Sequence, residues 1–214
     1  MEGDGGSVDR EGLLDRPGGR ADPLTGNDAA VASVISGENL DQFSFDGLRR
    51  KTGLHQETLS RVLDRLEGRG LLMRGAQGYS VVKHGAESSG VSADFRFATV
   101  PLLQSLLPDD VNLTDVTSAL RGRWFGSLRW LGLTSSSETT VLKWISEDGG
   151  IQVDAAFSPG QLEVTANIKE GWRLSDAIKA SYELMGHLTR VYARFGARKR
   201  VSLLDFWDEA PVSN

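Results

Sequence analysis

RRKTGLHQETLSRVLDRLEGRGLL, residues 49–72, sets two short apolar-periodic segments on either side of a Gly-Leu turn and closes on a second glycine pair, Gly68 and Gly70. In its second segment Leu59, Val62, Leu63 and Leu66 fall at i, i+3, i+4 and i+7, which is one apolar face at helical period. Gln56, Glu57, Ser60, Arg61, Asp64 and Arg65 occupy the other face. Just upstream, SFDGLRRKT (44–52) reads as a helix with Ser44 as N-cap and Gly53 as its stop, and DAAVASVIS (28–36) as an earlier one. Downstream, LLMRGAQGYSVV (71–82) is two β-favouring runs around a glycine-bracketed turn, which predicts a hairpin.

The polar, small-residue text KHGAESSGVS (83–92) then marks a linker. Beyond it, PLLQSLL (101–107) and NLTDVTSALRG (112–122) read as short helices. Four strands are expected in RWFGSLRWLGL (123–133), TTVLKWIS (139–146), GIQVDAAFS (150–158) and QLEVTANI (161–168). In the third, Ile151, Val153, Ala155 and Phe157 alternate with Gln152, Asp154, Ala156 and Ser158, so one face of each strand should be buried. Asp148-Gly149 and Pro159-Gly160 suit tight antiparallel turns. A long helix is expected from Ser175 to about Phe195, with Ile178, Tyr182, Met185, Leu188, Tyr192 and Phe195 as the stripe that covers the sheet. The basic run Arg198 to Arg200 would follow its C-terminus, where cations suit the helix dipole. All five tryptophans, Trp124, Trp130, Trp144, Trp172 and Trp207, lie in this half, with core as their default role.

The expected fold class is therefore α+β: an N-terminal helical unit with a hairpin, then an antiparallel four-stranded meander covered by a long C-terminal helix. Residues 1–26 are too poor in large apolar side chains to offset their ordering entropy and are read as a disordered acidic tail. The remaining divisions are 27–84, the linker at 85–92, and 93–214.

Composition narrows the function. The formal charge of −5 is uneven: residues 1–43 hold nine acids and three bases, 44–84 four acids and eight bases, and 85–214 sixteen acids and thirteen bases. The stretch 49–72 lies in the only basic part, and distribution matters more than the sum for a polyanionic partner. No apolar run is long enough to span a membrane and no secretory leader is evident, so a cytoplasmic protein without a membrane partner is expected. Cysteine is absent and His55, His84 and His187 are scattered, so no disulfide, thiol nucleophile, metal site or cofactor is expected. G-x-S-x-G, the P-loop, G-x-G-x-x-G and H-E-x-x-H are all missing, which argues against an enzyme.

Leu48, Thr52-Gly53-Leu54, Thr58-Leu59-Ser60-Arg61, Leu63 with Leu66, and Glu67 with Gly70-Leu71 together resemble the winged helix-turn-helix of prokaryotic transcriptional regulators of the MarR, IclR and Lrp kinds. The resemblance covers about a sixth of the chain, from Leu48 to Val82, and does not extend to the C-terminal half. It implies a sequence-specific regulator of double-stranded DNA whose third helix enters the major groove. Gln56, Glu57, Thr58 and Ser60 would then face the bases, Arg49, Arg50, Arg61 and Arg65 the phosphates, and Arg74 and Gln77 would sit on the wing. His55 is expected to cap or pack locally. A homodimer is expected, because one such element reads too few bases alone. The sequence leaves open whether the tryptophan-rich half binds a small-molecule effector or serves only as an interface. The alternative is a winged-helix protein-interaction module of a transcription or chromosome-associated complex.

Overall fold

A computed structural model describes residues 24, 26–82, 97–108 and 111–205, with the side chains of Phe97 and of 192–205 excepted. The tail, apart from Leu24 and Gly26, lies outside the described residues, as do the linker, His84 and Trp207.

Three helices open the described chain: α1 (Gly26–Gly37), α2 (Phe45–Thr52) and α3 (Gln56–Gly68). Ser44 caps α2 from an extended conformation, its Oγ accepting from the Gly47 N–H at 3.0 Å. The same hydroxyl donates to the Trp130 carbonyl at 2.6 Å, so the cap is also a tie to a distant strand. Gly53 ends α2 in the left-handed region at φ 67, with its N–H returning to the Arg49 carbonyl. Leu59, Val62, Leu63 and Leu66 are all buried, in a cluster with Val31, Leu48 and neighbours from α1 and α2. The hairpin is β2 (Leu72–Gly75) with β3 (Gly78–Val81).

The remaining elements are β1 (Gln42–Phe43), β4 (Phe97–Leu106), α4 (Leu113–Leu120), β5 (Leu128–Ser135), β6 (Thr140–Ser146), β7 (Ile151–Ser158), β8 (Gln161–Lys169) and α5 (Leu174–Asp205). The α+β class holds, but among the described residues the sheet has eight strands rather than four, in the order β2-β3-β1-β5-β6-β7-β8-β4, with antiparallel neighbours throughout. The two-residue β1 makes the difference on one side: it pairs with Ser80 and Tyr79 of β3 and with Leu133 and Gly132 of β5, joining the hairpin to the larger sheet.

On the other side the difference is β4. Residues 101–107 were expected to form a helix, but all except Leu107 belong to this strand, which pairs with β8 through a register shift between Pro101 and Leu103. The bulge inserts an extra residue, which is why adjacent Leu102 and Leu103 both pack against the core instead of alternating. Proline is tolerated because β4 is an edge and needs no donor on its outer side.

One sheet face carries Leu142, Trp144, Val153, Ala155, Phe157 and Val164, all buried beneath α4 and α5. Trp130 and Trp144 meet edge-to-face at 5.5 Å within this core, whereas Trp124 and Trp172 are exposed. Of the expected stripe of α5, Leu188 is buried and Met185 packs against the core, but the other covering residues are Ala177, Ser181, Leu184 and Val191. Ile178 and Tyr182 are 53% and 77% exposed; over these first turns the helix is rotated by about one residue, roughly 100°, from the expected face. Small Ala177 and Ser181 let it approach the sheet where larger side chains would hold it off. Tyr192 and Phe195 lie outside the described side chains. Because α5 continues to Asp205, Arg198 to Arg200 fall inside the helix and do not follow its end.

The opposite face is covered at β5 and β6 by α2. The approach is close: a Cβ on Gly47 would stand 2.5 Å from the Leu131 Cα and from the Trp130 carbonyl oxygen. Among the described residues no helix is long and apolar enough to cross a membrane.

Candidate nucleic-acid interface

The polar face of α3 is left open because its apolar face is fully used by the core beneath it. His55 caps the helix, its Nδ1 accepting from the Glu57 N–H at 3.4 Å, so the imidazole is occupied locally. In the first turn Gln56 and Glu57 are exposed, while Thr58 and Ser60 are half-buried. Gln77 is exposed at the tip of the β2–β3 hairpin.

The basic candidates are not bare. Arg61, 70% exposed, holds Glu57 one turn back at 2.5 Å. Arg65 forks onto both carboxylate oxygens of Asp28, with Nε to Oδ2 at 2.9 Å, and pins α3 to α1. Those bonds hold the Asp28 carboxyl below its ordinary range although burial works the other way. Arg74 reaches back from β2 to Asp64 at 2.7 Å and Glu67 at 3.5 Å, with its guanidinium over the Tyr79 ring. Arg49 and Arg50 share Asp46 at 3.7 and 3.8 Å, and the Arg50 side chain is only 16% exposed. All five candidate arginines thus have a carboxylate within 4 Å.

The local charge changes accordingly. Residues 44–84 are basic in sequence, but folding brings Asp28, Glu38 and Asp41 beside them, and residues 26–82, which leave out Lys83, hold seven acids and seven bases. Exposed pairs such as Arg61–Glu57 are weak because water screens them, so a phosphate can compete for the cation. Arg65 differs: Asp28 is buried and already accepts both of its bonds, which makes Arg65 a brace between helices.

Sequence reasoning missed a second group. Glu38, in the turn just after α1, sits between Lys51 of α2 at 2.5 Å and Lys143 of β6 at 3.0 Å. Gln152 of β7 accepts from Lys51 at 2.6 Å and donates to Glu38 at 2.9 Å and to Asp154 at 3.0 Å. Lys143 also reaches Asp154 at 3.4 Å. Burial opposes charge on Glu38, but the two ammonium groups outweigh it and hold its carboxyl at about 2. On Asp154 burial dominates and raises the pKa despite Lys143. The expectation of one buried face per strand fails here, since Gln152 is buried under α2. Partners 105 residues apart leave no signal in a local pattern.

Among the described residues no group of His, Asp and Glu could hold a metal ion. No family model, curated protein or solved structure matches the chain.

Proposed function

We propose that residues 26–82 work as a winged helix-turn-helix that sets α3 into the major groove of duplex DNA, and that the chain is a sequence-specific transcriptional regulator of the cytoplasm. The observation that carries this reading is the division of α3: four apolar residues wholly buried, and a first turn that presents Gln56 and Glu57 to solvent with Thr58 and Ser60 beside them. Those side chains offer both donors and acceptors, as base-edge reading requires. Arg61 and Arg49 are the phosphate contacts this reading favours, with Arg74 and Gln77 flanking on the hairpin. Arg65 and Arg50 are assigned to structure.

The regulator is proposed to act as a homodimer, for which α5 supplies a contact. Leu174, Ile178 and Tyr182 recur at i, i+4 and i+8, all exposed, on a helix about 48 Å long. The test is selection of duplexes from a randomised pool by the full chain, followed by footprinting. An enriched palindrome protected at two half-sites about one helical turn apart supports the proposal. Failure to enrich any sequence over the starting pool contradicts it.

The even balance of acids and bases over residues 26–82 favours a second reading, a protein-interaction module in a transcription or chromosome-associated complex. In that case the same face, Arg61–Glu57 and Arg74–Asp64 included, would meet a partner of mixed charge, and duplex binding would be absent at low salt.

A further inference from the structure

A cleft of about 500 Å³ opens between the segment after α4 and the middle of α5, lined by Arg123, Trp124, Phe125, Glu183, His187 and Arg190. Its floor is rigid. Phe125 is buried, meets Trp144 edge-to-face at 5.6 Å and lies 5.1 Å from the His187 ring; Trp144 Nε1 donates to the Arg123 carbonyl at 2.9 Å. Trp124, 61% exposed, has the Arg129 guanidinium 4.6 Å from its ring centre, and Arg129 is itself held by the Gly126 carbonyl and Glu147.

The charges in this cleft are unlike those on α3. Among the described residues neither Arg123 nor Arg190 has a carboxylate within ion-pairing distance, whereas every candidate arginine of the N-terminal unit does. With Glu183 on the same wall, the lining carries two cations and one carboxylate around a half-buried imidazole. Burial holds the His187 ring below its ordinary pKa, and the two guanidinium groups push it further down. The net positive charge suits a monoanion, and the aromatic walls suit a flat ring.

We propose that this cleft binds a small aromatic carboxylate, its carboxylate between Arg123 and Arg190 and its ring against Trp124. Guanidinium–carboxylate bonds are the strong, directional kind, and ring stacking adds to them. A carboxylate placed here also offsets the cations that depress His187, so binding draws a proton onto the imidazole and tightens as pH falls. Among the described residues Glu183, Arg123 and Arg190 are the charged groups lining the cleft around that ring, and the ligand adds the new charge. The site does not depend on the DNA reading, because ligand binding is read directly and without duplex.

The test uses the full chain with benzoate as probe, by calorimetry and tryptophan fluorescence, with benzyl alcohol as the neutral counterpart. Saturable benzoate binding is expected, weakened about tenfold in Arg123→Gln or Arg190→Gln and lost in the double variant. Melting curves of these surface variants should match wild type. The fluorescence change should vanish in Trp124→Phe, and His187 ring resonances should report a higher pKa with benzoate than without. Absence of saturation, equal affinity in the double variant, equal binding of benzyl alcohol or an unmoved His187 titration would each overturn the proposal.

Discussion

Glu38→Gln is the substitution that most sharply tests how the N-terminal helices are joined to the sheet. The amide is isosteric, so packing is kept, but the charge between Lys51 and Lys143 is gone. Whichever way it turns, its NH₂ faces donors: Lys51 on one side, or Lys143 with Gln152 on the other. The Lys51 side chain is 4% exposed and that of Lys143 11%, so water compensates little. A carboxyl lowered from 4.5 to about 2 corresponds to about 3 kcal/mol of stabilisation by the folded state. Removing one member of a buried ion pair typically costs ~3–5 kcal/mol, which agrees. Since Lys143 keeps Asp154 and Lys51 keeps Gln152, about 3 kcal/mol is the expected loss at neutral pH, or roughly 6–12 °C in Tm for a domain of this size.

The pH dependence has a definite sign. Folding lowers the Glu38 pKa, so the stability it contributes is complete above 4.5 and drains as pH falls toward about 2. The raised Asp154 pKa acts oppositely, because its folded form takes up a proton earlier, and it blunts the fall. Urea unfolding followed at a series of pH values should show wild type losing stability in that window faster than Glu38→Gln, with the two curves converging in acid. If the variant stayed within about 1 kcal/mol of wild type at neutral pH and the curves ran parallel, the buried network would not be what joins the two parts.

Three other outcomes are expected. Gly47→Ala should cost roughly 3 kcal/mol or more in urea unfolding, because its methyl would stand 2.5 Å from backbone atoms of β5 that cannot yield; a loss under about 1 kcal/mol would mean α2 sits elsewhere. Ile178→Glu with Tyr182→Ala should convert a dimer to monomer in sedimentation while leaving the melting curve intact, and a wild-type chain that is monomeric at all concentrations contradicts the α5 contact. Arg65→Ala should lower the melting temperature by releasing buried Asp28 yet leave the salt dependence of duplex binding closer to wild type than Arg61→Ala does.

The parts of this fold that local pattern controls were legible. The caps at Ser44 and Gly53, the buried quartet of α3 and the turns at Gly149 and Gly160 all follow from residue chemistry within a few positions. Long-range pairing escaped it. β1 is two residues long and exists because β3 and β5 flank it; β4 is a strand because β8 pairs with it, although its leucines are spaced as in a helix. The α5 face was misjudged because large apolar residues were weighted above the small ones, Ala177 and Ser181, that permit close packing. At the candidate interface the charge state was not legible: Asp28 and Glu38, from outside the basic segment, pair with Arg65 and Lys51 in the fold.

Duplex binding measured against salt, for wild type, Arg61→Ala and Gln56→Ala, is the direct test of the proposed function. Each neutralised phosphate contributes about −0.9 to the slope of log affinity on log salt. Arg61→Ala is expected to weaken binding to every sequence and to flatten that slope by about one contact, whereas Gln56→Ala should keep the slope and lose roughly 1–3 kcal/mol on the preferred site alone. Binding that is salt-independent, unchanged by both substitutions, or no tighter than about micromolar at low salt would contradict the account.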